Sequence, residues 1–309
     1  MQYLRLYRIE FTLVAALAAA IAFFGYLGYG LVYTTPRFSG VQSLNYVAKQ
    51  IENGGRVTGT SNNQAVRNWL ANELGNAGWK VYLQPFTLAN QIQAQNVIGV
   101  YKNPTPNASV VLLAAHYDTR LVADADPAQE NQSTPPPGAN SNASGVGVLL
   151  ELVRTLNLEK TDHTLCIAFF DADDNAELAD WQPYAGSYFF AQNLAESLDV
   201  CNNPRAIVLL DSIGYSGQTL SIAASNNPAL GQSLEQIANE LGYGAKFQSA
   251  SPATLASPLA QLNSPTVIVT DSTYPYRYTL QDTLDKVNSD NLMAVGRTLE
   301  AWLERGSPF

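Results

Sequence analysis

The stretch Val110-Val111-Leu112-Leu113-Ala114-Ala115-His116-Tyr117-Asp118 decides the fold: six apolar residues are followed by a histidine and, two positions later, by a carboxylate. A near-continuous apolar run of this length predicts a strand buried on both faces, as in a parallel sheet with helices on each side. Side chains at i and i+2 of a strand point to the same face, so we expect Asp118 to accept one ring N–H of His116 and to leave the other nitrogen for a metal. The alternative is a histidine that is only hydrogen-bonded at a strand end. Ligands of open α/β sheets bind outside the carboxyl ends of the strands, which is where this pair falls.

The composition is that of an ordinary globular protein with few charges. Of the 309 residues, 46% are hydrophobic and 14% are charged, which is enough for a sizeable core. The net charge of -9 and the pI of about 4.7 argue against nucleic acid as a partner, because such binding rests on clustered Lys and Arg. The two cysteines, Cys166 in a predicted strand and Cys201 in a predicted loop, are interpreted as buried, unreactive thiols and not as a disulfide framework or a zinc cluster.

An uncharged segment near the N-terminus predicts a membrane anchor. Residues 11–33 carry no charge, and at about 1.5 Å rise per residue a helix of this length spans a bilayer. Arg5 and Arg8 precede the segment and one arginine follows it closely, so the positive-inside rule places residues 1–10 in the cytoplasm. Residues 38–309 then lie outside, in the periplasm or the extracellular space. A cleaved signal peptide is the rival interpretation, but the segment is longer than the usual apolar core of such a peptide and no small-x-small site closes it.

The rest of the chain alternates helical and strand patterns. Predicted strands cover 79–86, 96–101, 110–116, 164–170, 206–210 and 266–269, and predicted helices cover 41–51, 63–74, 142–156, 186–194, 228–241 and 289–303. This alternation predicts one α/β domain with a doubly wound, mostly parallel sheet flanked by helices. The segment 121–137 has no periodicity and is rich in Pro, Asp, Asn and Gln, and a loop of this length inside a compact domain is usually functional.

Carboxylates follow three of the predicted strands. Asp118, the acidic cluster within 171–174, and Asp211 each come at the carboxyl end of a strand, so a parallel sheet brings them to one edge. One such residue is a weak signal, because Asp also favours turns and helix caps. Together with a histidine they suit a divalent cation such as zinc. His163 begins the strand whose far end carries Asp173, and at about 3.3 Å per residue it lies too far away to be a ligand.

Seven segments carry a resemblance to a known family. They read AHYDTR at 115–120, ADADP at 123–127, GANSNASGV at 138–146, FFDADDN at 169–175, GS at 186–187, DSIG at 211–214 and DTLDKV at 282–287. In this order they resemble metallopeptidase family 28, which contains di-zinc aminopeptidases and the related glutaminyl cyclases. The resemblance runs from about residue 38 to the C-terminus and implies a zinc aminopeptidase-like α/β fold for residues 38–309.

The resemblance assigns roles to individual residues. It implies that His116 and Asp211 bind one zinc ion, with Asp118 orienting His116. It places Asp174 on a second zinc ion. Asp173 stands where the family has its general base, normally Glu, which takes a proton from metal-bound water.

Two metal-ligand positions depart from the family pattern. Ser141 stands where the family has the aspartate that bridges both metals, and Tyr278 stands where a histidine closes the second site. A neutral hydroxyl supplies neither the charge nor the stable ligation that two dications about 3.5–4 Å apart require, and a tyrosine with a pKa of about 10 is a rare zinc ligand. Asp173 also holds its carboxylate one methylene short of the family's glutamate. Glutaminyl cyclase chemistry, which by the resemblance uses one zinc, loses two of its three ligands. We therefore expect weak or partial zinc binding, or none.

These departures favour a membrane-anchored member of the family that is catalytically degenerate, a pseudoenzyme that keeps a cleft for a peptide or an N-terminal amino acid. The alternative is an active aminopeptidase or amidohydrolase with a single metal held by His116, Asp174 and Asp211, since three protein ligands and a water make a catalytic zinc shell. A third hypothesis is a structural partner domain without any ligand.

Overall fold

The computed structural model describes the backbone of residues 2–33, 37–176, 178–217, 219–250 and 257–309 and, within the first of these ranges, the side chains of residues 10–26. The chain forms two compact units, Met1–Arg37 and Phe38–Phe309.

Helix α1 (Gln2–Tyr33) makes up the first unit. Its large apolar side chains, Phe11 and Phe24 among them, are 59–82% exposed. Among the described residues, no helix is both long enough and apolar enough to cross a bilayer. The predicted anchor at 11–33 and the predicted cytoplasmic segment at 1–10 lie partly outside the described side chains, and both stay predictions.

The second unit is a sheet flanked by helices. Within the described residues the strands are β1 (Lys80–Thr87), β2 (Gln93–Tyr101), β3 (Val110–His116), β4 (Thr164–Phe170), β5 (Ala206–Asp211), β6 (Leu220–Ser225), β7 (Phe247–Ala250) and β8 (Thr266–Thr270). The helices are α2 (Gly40–Ile51), α3 (Ser61–Asn76), α4 (Ala143–Thr155), α5 (Ala185–Ser197), α6 (Pro228–Glu240) and α7 (Ser289–Glu304).

The strands lie in the order β1-β2-β4-β3-β5-β8-β6-β7. The central strands β4, β3, β5 and β8 run parallel, as do β6 and β7, whereas the pairs β1/β2, β2/β4 and β6/β8 are antiparallel. The predicted α/β sheet with helices around it is confirmed. The sequence predicts a mostly parallel sheet, but the parallel pairs lie mainly at its centre. The sheet as a whole is mixed.

Strand β3 illustrates why the centre of the sheet is buried on both faces. Leu113 packs in one apolar cluster with Leu149 of α4, whereas Leu112 joins Phe190 of α5 in another. Each of these side chains is at most 1% exposed. Because neighbouring residues of a strand point to opposite faces, a strand that is apolar at every position needs a helical layer on each side.

The sequence patterns do not predict β6 and β7. β6 reads LSIAAS and β7 reads FQSA, so both are short and rich in Ser and Ala, and no residue of β7 is buried. β6 forms because β8 offers an antiparallel edge, on which Ile222 pairs with Val269. Pairing with a neighbouring strand therefore determines that these segments form strands, because their local sequence pattern does not.

The interpretation of the cysteines as unpaired thiols is wrong. Cys166 in β4 and Cys201, which follows α5, form a disulfide with Cα atoms 6.0 Å apart. Both residues are fully buried. A single pair of cysteines 35 positions apart has no characteristic spacing from which a disulfide could be predicted. The two residues meet only because the chain returns to β4 after α5.

His163 lies at the opposite edge of the sheet from His116, as predicted. His116 pairs with Phe170 at the end of β4, whereas His163 precedes the start of the same strand. Its ring contacts Ser109 Oγ at 2.8 Å and the Gly306 carbonyl at 3.1 Å. This histidine therefore ties loops together and is remote from the predicted site.

Candidate functional site

A cavity of about 290 Å³ lies at the carboxyl ends of the parallel strands β3, β4, β5 and β8. Its polar walls are His116, Asp173, Asp174, Tyr184, Ser187, Asp211, Ser257, Thr270, Ser272, Arg277 and Tyr278, and its apolar walls are Ala176, Leu209, Pro258 and Ile268. The predicted residues His116, Asp173, Asp174, Asp211 and Tyr278 thus meet in one cleft. The other two predicted residues, Asp118 and Ser141, are buried behind it.

His116 lies between two carboxylates. Its Nδ1 is 3.5 Å from Asp118 Oδ1, and its Nε2 is 3.8 Å from Asp211 Oδ1. Asp118 thus lies beside the ring, and its role in orienting His116 for a metal stays a prediction. Burial by itself would lower the pKa of His116, but the neighbouring carboxylates of Asp118 and Asp211 raise that pKa well above the usual value.

Asp118 also shapes the turn that follows β4. Its two carboxylate oxygens accept the backbone N–H groups of Asp173 at 3.2 Å and Asp174 at 3.1 Å. Because Asp118 is fully buried, these bonds are shielded from water. One side chain therefore adjoins the histidine ring and fixes the backbone that carries the next two carboxylates.

Asp173 faces the first turn of α5. Its Oδ1 accepts the backbone N–H of Ser187 at 3.0 Å. Gly186 lets the start of α5 lie close to the end of β4, since a Cβ at that position would lie 2.0 Å from the Asp171 carbonyl oxygen. Burial raises the pKa of Asp173 to about 7, and the charge of Asp118 adds to that rise. This carboxyl therefore has the pKa of a group that can exchange a proton near neutrality.

Asp174 is engaged by donors from the protein. Its Oδ2 accepts the backbone N–H of Arg120 at 2.9 Å and the side-chain amide of Asn142 at 2.7 Å. Burial raises the pKa of Asp174 to about 6, while the positive charges of His116 and Arg277 oppose the rise. One of its two carboxylate oxygens is therefore already held by two donors from the protein.

Ser141 belongs to a closed polar network behind the cleft. Its Oγ lies 2.5 Å from both Asp282 Oδ2 and Asn142 Oδ1. The Asp282 carboxylate also accepts the backbone N–H of Asn140 at 2.7 Å and the Tyr274 hydroxyl at 2.8 Å. At the position where the resemblance implies a bridging carboxylate, the chain thus has a hydroxyl that is bonded inward.

Arg277 is the site residue that the sequence does not reveal. Its Nη1 forms an ion pair with Asp211 Oδ2 at 3.0 Å, and its guanidinium carbon is 5.2 Å from the centre of the Tyr278 ring. Arg120 covers the same ring at 4.1 Å. Burial would raise the pKa of Asp211, but Arg277 and His116 hold it well below its usual range. No local sequence pattern predicts the pairing of Arg277 with Asp211, because the two residues are 66 positions apart.

The predicted functional loop at 121–137 lies against the segment that carries Tyr278. The backbone N–H of Ala125 donates to the Tyr278 carbonyl at 3.2 Å. Arg56, which is fully buried, holds the loop ends through side-chain hydrogen bonds to the carbonyls of Tyr117, Pro137 and Gly138 at 2.7–3.0 Å. The loop is thus held against the segment that carries Tyr278, although none of its residues lines the cavity.

Left-handed backbone conformations occur around the cleft. Ala172, Tyr184, Ser212 and Tyr278 have φ between 49° and 61°. Such a conformation costs a residue other than glycine about 1–3 kcal/mol, and it persists where the surrounding structure fixes it, often at functional sites. Tyr184 and Tyr278 line the cleft, and Ala172 and Ser212 adjoin its carboxylates Asp173 and Asp211. All four left-handed residues therefore lie at this edge of the sheet.

The donor set does not fit the zinc ions that the family resemblance implies. Among the described residues, no group of three or more His, Cys, Asp or Glu side chains is arranged to hold a metal ion. His116 and Asp211 are close, but Asp211 is paired with Arg277 and Asp174 with two N–H donors. A guanidinium cannot ligate a metal, and its charge repels one.

Comparison with known proteins establishes the family. The model of Peptidase family M28 matches residues 96–303. The chain therefore belongs to Peptidase family M28, as its motifs indicate.

Solved structures of the same fold include peptidases. A leucine aminopeptidase precursor from Bacteroides thetaiotaomicron is 28% identical, with a TM-score of 0.77 over 88% of this chain and 99% of that one. A Zn-dependent exopeptidase from Parabacteroides distasonis is 26% identical, with a TM-score of 0.74 and the same shares of both chains.

A curated relative has a different named activity. The glutaminyl-peptide cyclotransferase of Drosophila melanogaster is 28% identical over 175 residues, which are 52% of this chain. The match covers 44% of that protein's length. The proteins to which this chain is similar are thus named both as peptidases and as a cyclotransferase.

Proposed function

We propose that this chain is a membrane-anchored, catalytically degenerate member of the family that binds the amino-terminal residue of a peptide. The observation that carries the proposal is the inward bonding of Ser141. Its hydroxyl contacts Asp282 and Asn142, so the bridging ligand of a two-metal site is replaced by a neutral group that belongs to the scaffold. Without that anion, two dications have nothing between them to offset their repulsion.

The cleft itself supports binding. Asp173 and Asp174 present carboxyl groups to it, and Leu209 and Ile268 give it an apolar wall. Carboxylates suit the ammonium group of a peptide's N-terminus, and an apolar wall suits its first side chain. The aminopeptidase and the exopeptidase to which the chain is similar act, by their names, at peptide ends.

We expect the cleft to require a free amine. A short peptide with an apolar first residue should bind, and its N-acetylated form should not, because acetylation removes the charge that Asp173 and Asp174 would meet. Asp173→Asn should weaken binding about tenfold or more, since hydrogen bonds to charged groups contribute about 1.5–3 kcal/mol. Titration calorimetry measures both effects. The exposed carboxylate Asp285 provides the matched control, Asp285→Asn, and equal binding of free and acetylated peptides would contradict the proposal.

Membrane anchoring is the second part of the proposal. The uncharged run at 11–33 and the exposed apolar side chains of α1 support it. The disulfide Cys166–Cys201 supports an extracytoplasmic location for residues 38–309, because such bonds persist in oxidising compartments.

We expect the chain to fractionate with membranes and to be released only by detergent. Leu17→Arg with Ile21→Arg should release it, since each arginine at the centre of a spanning helix costs about 2.5–3.5 kcal/mol of insertion free energy. Val41→Arg, outside the uncharged run, is the control. Protease added from the outer side should digest the domain. Protection from that protease, or a mature N-terminus near residue 34, would refute the topology.

The alternative is an active hydrolase with one metal held by His116, Asp174 and Asp211. The pKa of about 7 for Asp173 favours it, because a carboxyl that titrates near neutrality suits a general base. Zinc-dependent hydrolysis of aminoacyl-anilide substrates by the wild type would establish this alternative.

A further inference from the structure

Arg277 holds the central position among the residues that the resemblance assigns to metals. One oxygen of Asp211 lies 3.0 Å from the guanidinium, and the other lies 3.8 Å from the His116 ring. The guanidinium also lies beside Tyr278, and its charge acts on Asp174. Thus a single cation adjoins residues from both of the implied zinc positions.

The pair is largely withdrawn from water. The side chain of Arg277 is 29% exposed and that of Asp211 is 18% exposed. A carboxylate in such a place needs a cation, because an unpaired charge is costly to keep out of water. Arginine suits this purpose since its guanidinium stays protonated at any physiological pH.

We infer that the Arg277 guanidinium takes the place of a metal ion as the cation that balances Asp211, so that the domain keeps its folded cleft without bound metal. The inference rests on the proposed loss of the metal site. It concerns folding stability, however, and is tested without a substrate.

The first test is thermal unfolding of the full chain, in detergent and with a chelator. Arg277→Gln should lower the Tm by about 5–10 °C, because it leaves Asp211 without its partner. Arg277→Lys keeps the positive charge, so its Tm should fall by less than that of Arg277→Gln. The matched control is Arg305→Gln, which breaks an exposed pair with Glu240 at 2.6 Å and should shift the Tm by about 2 °C or less. An unchanged Tm for Arg277→Gln would overturn the inference.

The second test removes both charges. Arg277→Gln combined with Asp211→Asn should recover more than half of the Tm lost by Arg277→Gln, because the neutral amide needs no cation. If Arg277→Gln alone does not fold and the double variant does, the inference is supported. A double variant no more stable than Arg277→Gln would overturn it.

The third test adds zinc in place of the chelator. Wild type should show no rise in Tm, whereas Arg277→Gln should melt higher in zinc, since a ligand that binds the folded state stabilises it by RT ln(1 + [L]/Kd). An equal rise in wild type would overturn the inference. Peptidase turnover by wild type would contradict the proposed function, whereas unchanged melting of Arg277→Gln contradicts this inference alone.

Discussion

Zinc binding should return when Ser141→Asp, Tyr278→His and Arg277→Gln are combined. The first two changes restore a bridging carboxylate and an imidazole, and the third removes the guanidinium from Asp211. We expect close to two equivalents of zinc per chain by elemental analysis after dialysis, against less than one for wild type. Ser141→Asp with Tyr278→His but with Arg277 intact should bind less zinc than the triple variant.

Adding Asp173→Glu should then raise hydrolysis of aminoacyl-anilide substrates by about 100-fold or more over wild type, because a positioned general base contributes about 10²–10⁴-fold. The gain should be steepest in the variant that holds all four changes, since ligands and base act as a unit. Tyr276→His, a tyrosine outside the cleft lining, is the control for the added imidazole. A wild type that already hydrolyses these substrates with zinc, and loses the activity in Asp173→Asn, would establish the one-metal enzyme instead.

The melting temperature of the variants that contain Ser141→Asp should depend on zinc. A carboxylate at position 141 would lie against Asp282, which the present hydroxyl contacts at 2.5 Å. Two buried carboxylates in contact repel each other unless a cation lies between them. The variants should therefore melt lower than wild type in chelator and higher in zinc.

Loss of the disulfide should produce the largest change in stability. Replacing Cys166 and Cys201 by alanine frees a loop of 35 positions, which the chain-entropy model converts to about 4 kcal/mol and therefore to about 8–15 °C in Tm. Reduction of wild type should lower its Tm by a similar amount, whereas the alanine variant should not respond to reductant. Two titratable thiols in the purified native chain would show that the bond is not formed.

The central sheet and the histidine with its partner could be predicted because their signals are local. An apolar run fixes β3, and a spacing of two fixes the Asp118 carboxylate beside His116, since both follow from the geometry of one strand. The convergence of Asp174 and Asp211 needed one more assumption, that the strands are parallel, and the central strands satisfy it.

The features that escaped prediction depend on contacts between distant parts of the chain. Arg277 lies in a loop without periodicity, and only the fold brings it to Asp211. The disulfide has the same origin, because α5 must first return Cys201 to β4. The edge strand β7 has no buried residue, so it leaves no apolar pattern to detect.

Asp118 lets the cleft keep its shape when the residues that line it change. Its carboxylate holds the N–H groups of Asp173 and Asp174, so the turn that carries them takes its form from a neighbouring strand and needs no ion to assemble it. Substitutions such as Ser141 and Tyr278 can then accumulate one at a time while the cleft stays open and folded. Hydrogen bonds of the protein itself thus give this turn its form before any peptide or ion enters the cleft.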